Sequence, residues 1–201
     1  MIKTFRLFFS AFFILLLACA QAVTDDSYLV TKILDGDTVQ LAGGERVRYI
    51  GIDTPEKGEP FSEEAKELNQ KLVLGKRIEI EFDVQERDKY GRLLGYVYVD
   101  NIFVNAELVK AGLAVLYTYP PNVKHTEYFT KLQKQAREKK AGIWSEEFEL
   151  EDYYLAVKGS KRFHRQDCNS IRDTKPNKLL EFKSRDEALD KGFSPCRRCK
   201  P

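Results

Sequence analysis

An Asp35-Gly36-Asp37-Thr38 turn, Arg48, an Asp53-Thr54-Pro55-Glu56 segment and Asp88-Lys89-Tyr90-Gly91-Arg92 hold the residues of this chain best suited to chemistry. Carboxylate and carbonyl oxygens suit a hard divalent cation, and a guanidinium fork matches the oxygens of a phosphate. Together these groups are the parts needed to hold a cation beside a phosphodiester. Two carboxylates bring enough charge for the ion and leave coordination positions for water and a phosphate oxygen. Pro55 fixes the backbone ahead of Glu56, whose carboxylate could take a proton from an attacking water or orient it. Asp-Gly-Asp is also ordinary turn chemistry, and Asp35 reads as the turn-former. The weight lies in three segments in order.

A second constellation, His164-x3-Cys168 followed by Cys196-Arg197-Arg198-Cys199, has the ligand types of a four-coordinate zinc site. Such sites normally staple small segments that bury little core. Cys19 lies in an N-terminal apolar run, which leaves three cysteines, an odd number that fits a disulfide framework poorly. A disulfide between two of the three is the alternative.

Short alternating or β-branched runs must position the first constellation. They span Tyr28 to Leu34, Val39 to Leu41, Arg46 to Ile52, Arg77 to Phe82 and Leu94 to Val99, with turn signals at Ala42-Gly43-Gly44 and Asp100-Asn101. Three helices are predicted. The first runs from about Phe61 to Leu74 with Ser62 as N-cap, the second from Asn105 to Ala111 stopped by Gly112, and the third from Glu127 to Lys140 stopped by Gly142. Five strands with interspersed helices suit a small Greek-key barrel of the OB type, an α+β arrangement. His125 reads as a surface or capping residue before the third helix.

At 201 residues the chain has room for one domain and an appendage. The overall charge of +2 hides an asymmetry: residues 21–157 carry 18 Lys and Arg against 25 Asp and Glu, a net of −7, and residues 158–201 carry 13 against 6, a net of +7. The basic tail suggests a polyanion-binding module, or simply a part that attracts the acidic one. Lys3 and Arg6 precede the apolar run from Leu7 to Ala20, the layout of a secretory signal. Leu16-Leu17-Ala18-Cys19 fits a lipobox that would leave Cys19 lipidated and tethered to a membrane; Ala18-Cys19-Ala20 and Ala20-Gln21-Ala22 fit ordinary cleavage and release.

The order and spacing of the acidic and arginine segments resemble the staphylococcal nuclease (thermonuclease) family, from about Tyr28 to Trp144-Ser145. Glu107 to Ala114, Tyr117-Thr118-Tyr119-Pro120 and Gly142-Ile143-Trp144-Ser145 support the likeness. The resemblance implies the OB-fold barrel with three helices. It also implies a calcium site made by Asp37, Asp53 and the Thr54 carbonyl, and catalysis by Arg48, Glu56 and Arg92. Lys89, Tyr90, Tyr117 and Tyr119 would contact the terminal phosphate and the base. The implied activity is calcium-dependent endonucleolytic hydrolysis of DNA and RNA, with little sequence preference and 3′-phosphate products. One departure is the Glu56–Ala65 loop, shorter than in the staphylococcal enzyme, with Lys57 as its only basic side chain.

From about Gly159 to Cys199, Phe163-His164, Ser184 to Leu189 and Gly192 to Cys196 resemble the zinc-binding domain of Ada-type DNA methyl-repair proteins. There four cysteines bind zinc and one accepts the methyl group; His164 stands at that position and supplies no thiolate nucleophile. The resemblance thus implies structural zinc on His164, Cys168, Cys196 and Cys199, in a module gripping nucleic-acid backbones through Arg162, Arg165, Arg172, Arg197 and Arg198.

The expected organisation is a signal at 1–20 (1–18 for a lipoprotein), a nuclease-like domain at 27–145, an acidic linker at 146–157 and a zinc-stapled domain at 158–201. Export is expected, with no obligate protein partner. Two alternatives stay open: a noncatalytic nucleic-acid-binding module and an envelope protein-contact module.

Overall fold

The computed structural model describes residues 27–201. The leader segment and Cys19 lie outside the described residues. The barrel strands are β1 (Ser27–Ile33), β2 (Thr38–Leu41), β3 (Arg46–Tyr49), β5 (Arg77–Glu81) and β6 (Leu93–Val99), with the short β4 (Gly51–Asp53) between β3 and β5 in the chain. β1 pairs antiparallel with both β2 and β5, and β2–β3 and β5–β6 are antiparallel too. A parallel β3–β6 pairing, with Val47 opposite Leu93 and Tyr49 opposite Gly95, closes the five strands into a barrel. β7 (Ile102–Phe103) extends β6, and β4 pairs with β8 (Val115–Tyr117).

Alternation along these strands sends Val30, Val39, Leu41, Val47, Tyr49, Ile78, Val97 and Val99 into one core. The helices α1 (Ser62–Val73), α2 (Val104–Lys110) and α3 (Thr126–Glu138) cover it, adding Val73, Leu108, Val109 and Phe129. The expected five-stranded barrel with three helices is therefore present.

Details depart from the sequence reading for local reasons. The run from Arg46 to Ile52 is two strands, because Gly51 turns the chain at φ 78° against the Phe129 ring, where a Cβ would lie only 2.7 Å away. Ser62 is the first helical residue rather than the cap. Phe61 precedes it in the left-handed conformation with no side-chain cap, and the Ser62 amide bonds back to the Glu59 carbonyl at 3.2 Å. Gly112 follows α2 at φ 70°, as a stop residue should, but after α3 the first left-handed residue is Lys140, with Gly142 at φ 54° two residues on. His125 packs its ring edge-on at 4.4 Å from Tyr96 and lies 3.1 Å from Glu81. It occupies the N-cap position of α3, as read, but its ring packs into an aromatic cluster and makes no side-chain cap bond.

The remaining strands form a second sheet, ordered β11 (Leu179–Phe182), β9 (Tyr154–Val157), β10 (Arg162–His164) and β12 (Ser194–Pro195), flanked by α4 (Arg185–Asp190). β9 lies within the stretch read from sequence as linker. Its four residues alternate buried and half-buried, too short a run to stand out behind seven acidic or aromatic neighbours. This sheet docks on the barrel through one shared apolar cluster: Ala136 and Trp144 on the barrel side pack with Tyr154, Ala156, Phe163, Phe182, Ala188, Leu189 and Phe193. Arg185 lies 3.7 Å over the Phe148 ring and 5.2 Å over Trp144. The Thr118 amide and hydroxyl bond to Ser194 Oγ at 3.1 Å and the Gly192 carbonyl at 3.0 Å.

Candidate functional site

The Asp35–Thr38 turn is shaped by its own side chains: Asp35 Oδ1 accepts the Asp37 amide at 2.9 Å. It is pressed against α1 and Thr54, for a Cβ on Gly36 would lie 2.7 Å from Thr54 Oγ1 and 2.8 Å from Ala65 Cβ. Buried Asn69 on α1 anchors the turn, donating to the Asp35 carbonyl at 3.0 Å while accepting from the Tyr49 hydroxyl at 2.9 Å. Nothing in the pattern around Asn69 marks it as anything but a helical residue.

Asp37 and Asp53 are buried side by side. Asp37 Oδ2 accepts from the Thr54 amide at 2.9 Å and its hydroxyl at 3.1 Å. Arg48 Nη2 lies 3.0 Å from Asp37 Oδ2 and 2.9 Å from Asp53 Oδ1, and also donates to the Ile52 carbonyl at 2.9 Å. Burial pushes the Asp37 carboxyl up to about 7, against the pull of Arg48 and with help from Asp35 and Asp53. A carboxyl raised in this way, beside two further aspartates, sits where positive charge is short. The donor set is oxygen throughout, so it fits a hard divalent ion on Asp37, Asp53 and the Thr54 backbone.

Glu56 sits at the mouth, its side chain 63 % exposed. Arg92 Nε donates to Asp88 Oδ2 at 2.7 Å, while Asp88 Oδ1 accepts the amides of Tyr90 and Arg92 at 2.9 and 3.0 Å. Burial alone would raise Asp88, but these bonds outweigh it and hold the carboxyl below its ordinary value. Tyr90 is exposed, with Lys89 5.0 Å and Arg92 5.8 Å from its ring centre. Tyr117 and Tyr119 present parallel rings 6.2 Å apart.

A cavity of about 490 Å³ gathers Asp37, Arg48, Thr54, Glu56, Lys89, Tyr90, Arg92, Tyr117 and Tyr119. Asp53 lines the adjoining cavity together with Thr54 and Glu56. Every residue singled out for the first constellation thus meets at one place. Residues that sequence reasoning did not assign there also line it, among them Asn122, which clamps Gln85 through bonds of 2.8 Å to its amide and carbonyl, and Arg197 from the turn after β12.

The second constellation also converges. The ligand atoms of His164, Cys168, Cys196 and Cys199 lie within 4.8 Å of one another. Parallel pairing of β10 with β12 sets Phe163 beside Pro195, which brings His164 and Cys196 together. The three cysteines are free. The Arg165 and Arg198 amides point at Cys199 and Cys196 sulfurs at 3.4 Å, support of the kind thiolate ligands receive. Burial, with Arg162 nearby, holds His164 below its ordinary value and so favours the neutral ring a metal needs. Three sulfurs and one imidazole in tetrahedral reach fit zinc.

Comparison with known proteins agrees with this geometry. The family described as "Staphylococcal nuclease homologue" matches residues 46–146, and "Metal binding domain of Ada" matches residues 143–201. The thermonuclease of Staphylococcus intermedius is 38% identical over 131 residues, covering 61% of this chain and 78% of that protein. Two Bacillus subtilis (strain 168) proteins, the SPbeta prophage-derived endonuclease YokF and endonuclease YncB, are each 42% identical over 125 residues, or 57% of this chain. The match spans 42% of YokF and 59% of YncB. The chain therefore belongs to the staphylococcal nuclease family and carries an Ada-type metal-binding segment behind its barrel.

Proposed function

We propose that this protein is a calcium-dependent endonuclease that hydrolyses DNA and RNA with little sequence preference and leaves 3′-phosphates. The convergence of Asp37, Arg48, Glu56 and Arg92 around one tyrosine-edged cavity, with Asp53 held on Arg48 at its border, is the observation that carries this reading. The name thermonuclease or endonuclease on each relative supports it.

A divalent ion held by Asp37, Asp53 and the Thr54 carbonyl would supply Lewis-acid charge at the phosphate. Glu56 accepts the proton of the water that attacks phosphorus, the bond from phosphorus to the 5′-oxygen breaks, and the leaving 5′-oxygen takes up a proton from solvent as a hydroxyl. Arg92 and Arg48 stabilise the charge that builds on the non-bridging oxygens, a contribution larger in the transition state than in the ground state. Arg48 also holds the two aspartates in register. Tyr117, Tyr119 and Tyr90 offer stacking faces that every base can use, and Lys89 meets the terminal phosphate. In the tail, zinc on His164, Cys168, Cys196 and Cys199 supports structure. The leader-like N-terminus supports export, with release or a lipid tether at Cys19 as the two forms.

The test is cleavage of heat-denatured DNA, duplex DNA and RNA by the protein with calcium, with magnesium and with neither, beside Glu56→Gln. Calcium-dependent fragments ending in 3′-phosphate and lost in the variant are the expected result. Folded wild-type protein that cleaves nothing would make the site a binding surface.

A further inference from the structure

Arg197 stands between two of the proposed zinc ligands, yet its side chain belongs to the barrel site. Its Nε donates to Asp53 Oδ2 at 2.6 Å, its Nη2 pairs with Asp53 Oδ1, and its Nη1 lies 2.9 Å from Glu56 Oε1. The guanidinium sits 5.8 Å from the Tyr117 ring centre, and Arg162 lies 4.5 Å over the same ring. The turn that presents it is firmly held. The Cys196 amide bonds to the Phe163 carbonyl and the Lys200 amide to the Cys196 carbonyl, both at 2.9 Å, and Lys200 Nζ lies 2.5 Å from Glu59 Oε1.

This contact borders the groove without filling it. With Arg197 in place the cavity keeps its ~490 Å³, within the roughly 300–1,000 Å³ usual for ligand sites, and the Arg197 side chain is half exposed as one wall. The electrostatics leave a use for a further cation beside the divalent ion and Lys89. Asp35, Asp37, Asp53 and Glu56 crowd a site meant for an anion, while Arg48 bridges two aspartates and Arg92 pairs with Asp88. The barrel, residues 27–145, is neutral overall, with 18 Lys and Arg against 18 Asp and Glu, and the tail, with its net of +7, delivers the further guanidinium.

We propose that Arg197 is a substrate-binding residue of the nuclease site, a third guanidinium supplied by the metal-binding segment, which exchanges its Asp53 and Glu56 contacts for the phosphodiester of a single strand. This rests on the nuclease reading above. Because the Arg197 fork engages both Asp53 oxygens, it competes with a divalent ion for them. Loss of Arg197 therefore acts on two ligands in opposite directions: the ion binds more tightly and the strand more weakly.

The experiment compares full-length wild type, Arg197→Ala, Arg197→Lys and Lys175→Ala. The last removes one charge from an exposed position of the same segment that does not line the cavity. Calcium binding is measured by titration calorimetry, and binding of a fluorescent single-stranded oligonucleotide by anisotropy without added calcium. Arg197→Ala is expected to bind calcium several-fold more tightly and the strand roughly tenfold more weakly, Lys to recover part of the strand affinity, and Lys175→Ala to stay within about twofold on both. Tighter binding of both ligands would make Arg197 a plug, and weaker binding of both would make it merely structural. A strand effect no larger than that of Lys175→Ala would reduce it to bulk charge. Each of these overturns the proposal. None of the arms needs turnover, so an inactive wild type would refute the nuclease reading while still deciding the role of Arg197.

Discussion

Arg48 Nη2 lies 3.0 Å from Asp37 Oδ2, with both side chains nearly closed to solvent, yet burial still lifts Asp37 to about 7. The sign of the pH effect follows. An oxygen ligand must be ionised, so below pH 7 a proton competes with the ion at Asp37, and apparent calcium affinity should fall up to about tenfold per pH unit. Without the ion, a folded-state value raised above the unfolded ~3.9 means that this group destabilises the fold as pH rises from about 4 towards 7. Calcium titrations and thermal melts at pH 5.5, 6.5 and 7.5 check both statements. Asp37→Asn should lose calcium affinity together with most of its pH dependence.

Glu56 offers a cleaner separation of chemistry from stability. Its side chain is largely exposed and its ion pair with Arg197 is of the rim type, worth ~0–1 kcal/mol. Glu56→Gln should therefore melt within about 3 °C of wild type while losing roughly 10²–10⁴ in cleavage rate, as expected for removing a general base. A variant that kept its rate would move the proton acceptor elsewhere.

The sequence makes the barrel and the ligand types legible because both are local patterns: alternation in β1 and β6, and carboxylates within a few residues of Gly36 and Pro55. What it hides is long-range. Tyr49 and Asn69 join across the core, and Phe61 takes a cap position in the left-handed conformation, which a phenylalanine does not signal. Arg197 meets Asp53 across a sequence separation of 144. The net charge of +7 on residues 158–201 was the available signal for that last contact. It gave the sign of the attraction without the partner.

Metal removal should expose how much the tail depends on its cluster. Around Cys168, Cys196 and Ile171 the apolar packing is thin, with Leu155 and Val157 alone as aliphatic neighbours. Stripping zinc with chelator should lower the melting midpoint by roughly 5–10 °C, about 2–3 kcal/mol for a chain of this length. One equivalent of cobalt should restore the midpoint and show thiolate charge-transfer absorption. His164→Ala should bind cobalt more weakly and alter that spectrum. An unchanged midpoint after complete metal loss would remove the structural role.

The cluster shared by Trp144 and Phe163 predicts that barrel and tail unfold together. Trp144 is the chain's single tryptophan and lies on the barrel side, while Phe163 is fully buried on the other, so the apolar cluster of the tail is completed only by barrel residues. Phe163→Ala should cost ~3–5 kcal/mol through the cavity it leaves. Because the lost packing is common property, the Trp144 fluorescence transition and the far-ultraviolet circular dichroism transition should move to lower denaturant by the same amount and remain superimposed. If fluorescence shifts while most of the dichroism does not, the barrel is stable by itself. The tail would then be a docked appendage whose Arg197 can leave the site at little cost, and the strand affinity assigned to Arg197 should fall in Phe163→Ala as it does in Arg197→Ala.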